Sequence, residues 1–298
     1  ECLITYNGVE GDSTTGYGIA GMSTHYPKNT LIFNNDVSNN VRKGIDFHSG
    51  YNSSIIANKV VANGIYGIFH ESIKQLGKCV IKNNFISGMI IDGTKTGFTV
   101  GYCIWFGSAY AETTNTKTFF DVSDNYIVAN DVVNGGQIFP LNAELDNLFN
   151  CTATIKNNTI VGNNATAAFS YKTRANIVPC TNVIFENNYV DIAEYLGYPI
   201  FINSTKTQLI SIQNNTFKGH CLYGNILFIS ASSLSNHVRK FNGNVISMTL
   251  DGALAEYGIP FTLVLSSSIV QTAKENVLNG VKLKDYDGTK FVSMQTSV

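Results

Sequence analysis

The chain has 298 residues, 44% hydrophobic and only 14% charged, with a formal net charge of −1. Charged residues supply about a quarter of an ordinary domain, so Asn, Ser, Thr and Gly must fill the polar positions here, while the apolar fraction is too high for a disordered chain. Near-neutrality argues against the concentrated basic surface that nucleic acid requires, and no apolar run approaches the roughly 20 residues of a membrane span.

One short pattern recurs from end to end: an Asn, one further residue, then an apolar residue, between runs of β-branched and aromatic side chains. It occurs at Asn7, Asn35, Asn58, Asn84, Asn125, Asn158, Asn188, Asn215, Asn244 and Asn276, at intervals of 23 to 41 residues. Six residues such as Ile155-Lys156-Asn157-Asn158-Thr159-Ile160 are too crowded for a helix face but suit two short strands meeting at a corner. Asn tolerates the left-handed backbone that such a corner needs. A repeat of this length and composition predicts a β-solenoid of about ten coils, with the corner asparagines stacked in a hydrogen-bonded ladder. The solenoid is expected over 1–276, with 277–298 as a terminal coil or the start of another segment.

In chain order, Gly16-Tyr17-Gly18-Ile19, Gly44-Ile45-Asp46-Phe47-His48 and Gly67-Ile68-Phe69-His70-Glu71 read as equivalent strands, each opening on a glycine nine residues after its corner Asn. The fourth coil breaks step. Gly88-Met89-Ile90-Ile91-Asp92 looks like its matching strand, and the long interval to Asn125 predicts an inserted loop carrying Tyr102, Trp105, Phe106 and Tyr110. From 121 to 268 the chain reads as scaffold, with Pro199–Asn203, Asn225–Ile229 and Pro260–Val264 alike, and 280–285 alternates as a strand with one wet face. The six cysteines are scattered singly with no metal-site spacing, which suits small buried core residues. The Asn-x-Ser/Thr triplets reflect composition rather than glycan attachment.

Side chains alternate in and out along a strand, so if Ile45 and Phe47 point inward, Asp46 and His48 point outward. The 23-residue offset then stacks His48 on Glu71 and Asp46 on Phe69. His70 falls level with inward Phe47 and is expected to be buried and hydrogen-bonded. With Asp92 below Glu71, the outer column would read His48, Glu71, Asp92. Two carboxyl groups can cleave a glycosidic bond with retention at about 5–5.5 Å or inversion at about 6.5–9.5 Å. Glu71 with Asp92 would suit the first and Asp46 with Glu71 the second. A surface ion pair accounts for the same residues without catalysis. His48 could instead serve a lyase as its base. Arg42 and Lys43 could hold an acidic sugar, and Tyr102, Trp105 and Tyr110 could form a sugar platform or simply pack a loop. Asp191 and Glu194 near Lys218 and His220 form a second, weaker cluster.

The repeat, the Asn corners and the Gly-Ile-Asp-Phe-His strand resemble the pectate-lyase-like right-handed parallel β-helices, among them bacteriophage tailspike and appendage depolymerases. The resemblance implies an all-β, right-handed parallel β-helix. It also implies a homotrimer on a virion tail that binds and cleaves a bacterial capsule or O-antigen polysaccharide, with a virion-attachment domain ahead of this chain. The alternatives are a non-catalytic glycan-binding fibre or adhesin, and a secreted bacterial polysaccharide lyase. The polygalacturonase and pectate-lyase signatures are absent, Gly219-His220-Cys221 being the nearest approach to one of them, so no calcium or other cofactor is expected.

Overall fold

The computed structural model describes residues 2–5, 7–8, 15–21, 28–47, 52–72, 77–88, 100–108, 117–129, 137–145, 150–173, 182–203, 207–224, 226–229, 237–251 and 269–286. They form a right-handed parallel β-helix. Each full coil contributes one strand to each of three sheets, and every strand pairs with its equivalent in the next coil. Sheet 1 runs from Leu3–Thr5 to Val281–Lys282 in eleven strands, sheet 2 from Tyr17–Gly21 to Leu227–Ile229 in eight, and sheet 3 from Leu31–Phe33 to Ile269–Lys274 in nine. All strand pairings are parallel except the last in sheet 1, where Val277–Leu278 and Val281–Lys282 form an antiparallel hairpin, and a single antiparallel bridge joins Ala273 to Tyr286.

Stacked aliphatic columns build the interior. In sheet 1 Val37, Val60, Ile86, Ile127, Ile160 and Val190 lie level in successive coils, all fully buried. A single coil could not shield such a column, so each coil is stabilised by its neighbours.

The corner between sheets 3 and 1 uses two consecutive residues. The first takes the left-handed backbone, at Asn34, Ala57, Asn83, Asp124, Asn157, Asn187 and Asn214, with φ of 55 to 57°. The second is the ladder Asn, whose side chain turns inward. The repeat predicts one Asn for both jobs, whereas the structure divides them between two residues. Asn158 is representative: its Nδ2 donates to Asn188 Oδ1 at 3.0 Å and to Val122 O at 3.0 Å, while its Oδ1 accepts from the backbone N and the Nδ2 of Asn125. Every polar atom of the buried amide is thereby satisfied, as a dry interior demands. The ladder continues unbroken from Asn35 to Asn276.

Asn7 belongs elsewhere. It donates to Asn40 Oδ1 at 2.8 Å, and Asn40 donates to Asn63 at 2.9 Å, forming a second, shorter ladder between sheets 1 and 2. Asn39 and Ala62, with φ of 55 and 53°, precede these rungs, so the same two-residue corner is used twice per coil. The register of sheet 2 also corrects the glycine column. Tyr17 pairs with Lys43 and Ile19 with Ile45, which puts Gly18, not Gly16, level with Gly44 and Gly67. Here the reason is steric: a Cβ on Gly18 would stand 2.8 Å from Asn40 Nδ2, and one on Gly44 2.8 Å from Asn63 Nδ2. Glycine makes room for the second ladder.

The fourth coil is the main departure from expectation. Its sheet 2 strand is Val100–Ser108, paired with Tyr66–Ser72 on one side and Gln137–Leu145 on the other. Tyr102, Trp105 and Phe106 therefore lie on a strand, not in an inserted loop. Of the strands that read alike in the later half, Ile200–Asn203 and Leu227–Ile229 are neighbours in sheet 2, while 260–264 lies outside the described residues. Cys79, Cys103, Cys151 and Cys221 are buried and unbridged. Among the described residues no helix is long and apolar enough to cross a membrane.

Candidate functional site

In sheet 2, Gly44 and Ile45 both face inward, as do their equivalents Cys103 and Ile104. The chain bends at this point, and alternation resumes after it. Three outward columns result: Lys43–Tyr66–Tyr102–Phe139, Asp46–Phe69–Trp105–Asn142, and Glu71–Gly107–Glu144.

The first two columns are packed against each other. Tyr66, Tyr102 and Phe139 stack at centroid separations of 5.2 and 5.6 Å, and Phe69 lies on Trp105 at 4.2 Å with the rings 8° from parallel. Lys43 Nζ sits 3.7 Å from the centre of the Phe69 ring and 3.1 Å from Asp46 Oδ1. Asp46 is 2% exposed and Lys43 3%. Burial draws the Lys43 ammonium below the usual lysine range, and the Asp46 carboxylate opposes that shift. Such a pair is held by mutual neutralisation and by the face of an aromatic ring. Arg42 packs over the Tyr17 ring and donates to the Tyr17 hydroxyl. Burial raises the Tyr102 phenol, with the nearby Glu144 carboxylate adding to the effect.

The third column differs. Glu71 and Glu144 are both half-buried and stand on alternate strands with Gly107 between them. Two strand spacings separate their backbones by roughly 9.5 Å. Gly107 is required: a Cβ there would stand 2.4 Å from the Glu144 carbonyl oxygen and 2.8 Å from Trp105 Cη2. The indole edge thus occupies the space over Gly107. Asn142 Nδ2 lies 3.5 Å from Glu144 Oε1.

Each residue singled out in the sequence can now be located. Asp46 pairs with Phe69, and Phe47 with His70, as the 23-residue offset requires. His70 is buried, its Nε2 2.6 Å from Ser53 Oγ, and burial lowers its pKa to about 4. The residue below Glu71 is Gly107, which overturns the stacking of Asp92, because the strand of that coil begins at Val100 and not at Gly88. Trp105 is 2% exposed with its face covered by Phe69, so no ring face remains for a sugar. His48, Asp92 and Tyr110 lie outside the described residues. Glu144 escaped the sequence argument, although the pattern of an aromatic, one residue, then an aliphatic in Tyr66-Gly67-Ile68, Tyr102-Cys103-Ile104 and Phe139-Pro140-Leu141 would have aligned it with Glu71.

The second cluster lies on sheet 1. Asp191 is level with Lys218 and Glu194 with His220, and His220 Nε2 is 2.8 Å from Asp251 Oδ2, with Asp251 half exposed. Exposed pairs of this kind contribute less than about 1 kcal/mol. Among the described residues no group of three or more His, Cys, Asp or Glu could hold a metal ion.

Compared with known proteins, residues 1–104 match the family model of a right handed beta helix region. No curated protein and no solved structure matches the chain.

Proposed function

We propose that this chain binds a bacterial surface polysaccharide, capsule or O-antigen, and hydrolyses it on the outer face of sheet 2 as a tailspike-type depolymerase, with Glu71 and Glu144 as the catalytic pair. The parallel β-helix is compatible with polysaccharide-binding and polysaccharide-degrading proteins. The observation that carries the reading is the Glu71–Gly107–Glu144 column, two half-buried glutamates in register on alternate strands with a glycine between them. Their backbones stand two strand spacings apart, roughly 9.5 Å, which favours the wide carboxyl pair of about 6.5–9.5 Å, with room for a water between acid and base, over the about 5–5.5 Å of a retaining pair. One glutamic acid protonates the leaving oxygen while the other activates water on the opposite face of the sugar, and the anomeric centre inverts. Asp46 takes no chemical part, because Lys43 neutralises it in a buried pair. The assembly proposed with this activity is a homotrimer on a virion tail.

The test uses a panel of purified capsular and O-antigen polysaccharides, with products resolved by size. Glu71→Gln and Glu144→Gln should each lower cleavage at least about 100-fold with unchanged thermal stability. Absorbance near 235 nm in the products would mark unsaturated ends and make the protein a lyase. Binding without cleavage across the panel would favour the non-catalytic fibre.

A further inference from the structure

The outer face of sheet 3 holds a depression of about 320 Å³, built by three consecutive strands, Gly77–Lys82, Lys117–Ser123 and Asn150–Lys156. It is lined by Lys78, Phe119, Asp121, Thr152, Thr154 and Lys156. Register explains how they meet: Lys78, Phe119 and Thr152 lie level, Asp121 and Thr154 lie level two residues on, and Lys156 follows at the next outward position. This face belongs to a different sheet from the Glu71–Glu144 column.

Three features of the lining point to one ligand chemistry. Phe119 is 45% exposed, an aromatic surface of the kind that covers the apolar face of a sugar ring. Thr152 and Thr154 project hydroxyls from the same face, matching sugar hydroxyls, while Asp121 holds Lys78 in place. Burial works against the Asp121 charge, but the Lys78 ammonium outweighs it and holds the carboxyl below its usual range. Lys78 Nζ stands 3.2 Å from Asp121 Oδ2, and Lys156 adds a second ammonium. Within the lining two ammonium groups stand against one carboxylate, Lys78 being paired with Asp121 and Lys156 having Glu186 level with it on the next strand. A neutral sugar would have no use for the excess. The volume falls at the low end of the about 300–1,000 Å³ of small-ligand sites, which suits a short saccharide.

We propose that this depression binds an acidic sugar residue, with Phe119 under the ring, Lys156 and Lys78 on its carboxylate, Thr152 and Thr154 on its hydroxyls, and Asp121 positioning Lys78. The polysaccharide reading supplies the biological ligand, but the binding itself is independent of cleavage. A chain held on sheet 3 as well as sheet 2 would stay attached between cleavage events.

The test is a calorimetric titration of the full chain with tetragalacturonate, a hyaluronan tetrasaccharide and maltotetraose as acidic and neutral probes. At least one acidic probe should bind saturably, at least tenfold tighter than maltotetraose and weaker as salt rises. Phe119→Ala and Lys156→Gln should each weaken it at least fivefold with unchanged melting temperature, while Glu71→Gln and Glu144→Gln leave it unchanged. The proposal is overturned if neither acidic probe saturates, if maltotetraose binds as tightly, or if the sheet 3 variants bind like the parent. Affinity lost only in the Glu71 and Glu144 variants would move the binding to sheet 2 and overturn it too. Loss of cleavage with retained probe binding, or the reverse, separates the two proposals.

Discussion

In the coils that contain Asp36–Ser38 and Lys59–Val61, the sheet 1 strand lasts three residues and the chain turns into sheet 2 through a left-handed residue and a buried Asn. In the coils of Thr159–Ala165 and Tyr189–Tyr195 the strand runs seven residues, and no rung of the second ladder follows it. The early coils thus have two Asn ladders and a glycine column; the later ones have one ladder and longer strands. Between them lies a seam: among the described residues the second ladder ends at Asn63, and Cys103 stands level with Gly44 and Gly67. Among the described residues the sheet 2 strands at the seam, Val100–Ser108 and Gln137–Leu145, run nine residues each. The Glu71–Gly107–Glu144 column crosses the seam, from the last two-ladder coil into the strands beyond it.

The packed outer columns leading into the seam should be more sensitive than the rest of the helix. Asp46→Ala would leave the Lys43 ammonium buried over Phe69 without its counter-charge, and chemical denaturation should register a loss of about 4 kcal/mol. Lys43→Met together with Asp46→Leu should recover most of it, as expected when a buried pair is replaced whole.

Next in size is a pH effect at His70, which replaces the inward Phe47 and Phe106 of the adjacent coils. Its folded pKa of about 4 lies below the ordinary value of 6.5, so between those values the unfolded chain takes up a proton that the folded chain refuses. Stability contributed here is fully present above pH 6.5 and is lost as pH falls toward 4, by about 3 kcal/mol in all. Denaturation at stepped pH should show this slope, and His70→Phe should flatten it.

The two coil types are compared directly at the glycine column. A Cβ on Gly44 would stand 2.7 Å from the Gly67 carbonyl oxygen, so Gly44→Ala should cost about 2 to 3 kcal/mol, whereas Cys103→Ala, past the end of the second ladder, should cost less than about 1.5 kcal/mol. Equal losses would break the distinction between the two coil types. The smallest change is a gain: Ala57 has φ of 56° where the flanking coils use Asn34 and Asn83, and Ala57→Asn should raise stability by about 1 kcal/mol.

The sequence pattern made the solenoid and the main ladder legible because Asn must recur wherever the corner recurs. It misled at Asn7, because the second ladder uses the same Asn-x-apolar spacing and only pairing distinguishes the columns. Asp46 on Phe69 and His70 on Phe47 were legible because those coils repeat without insertion. Beyond Glu71 the offset to the next equivalent residue rises to 36 at Gly107, so a search limited to the nearest glycine-led strand selected Gly88 and Asp92. The burial of Lys43, Asp46 and Trp105 was hidden for a different reason. A strand's alternation tells which side a residue faces, but not whether that side is packed.

The most direct test of the carboxylate pair is the configuration of the first reducing end released from a cleaved polysaccharide, followed by proton NMR before mutarotation. The Glu71–Glu144 spacing predicts the anomer opposite to that of the bond cleaved, with release abolished in Glu144→Gln. Retained configuration, or full activity in that variant, would contradict the assignment.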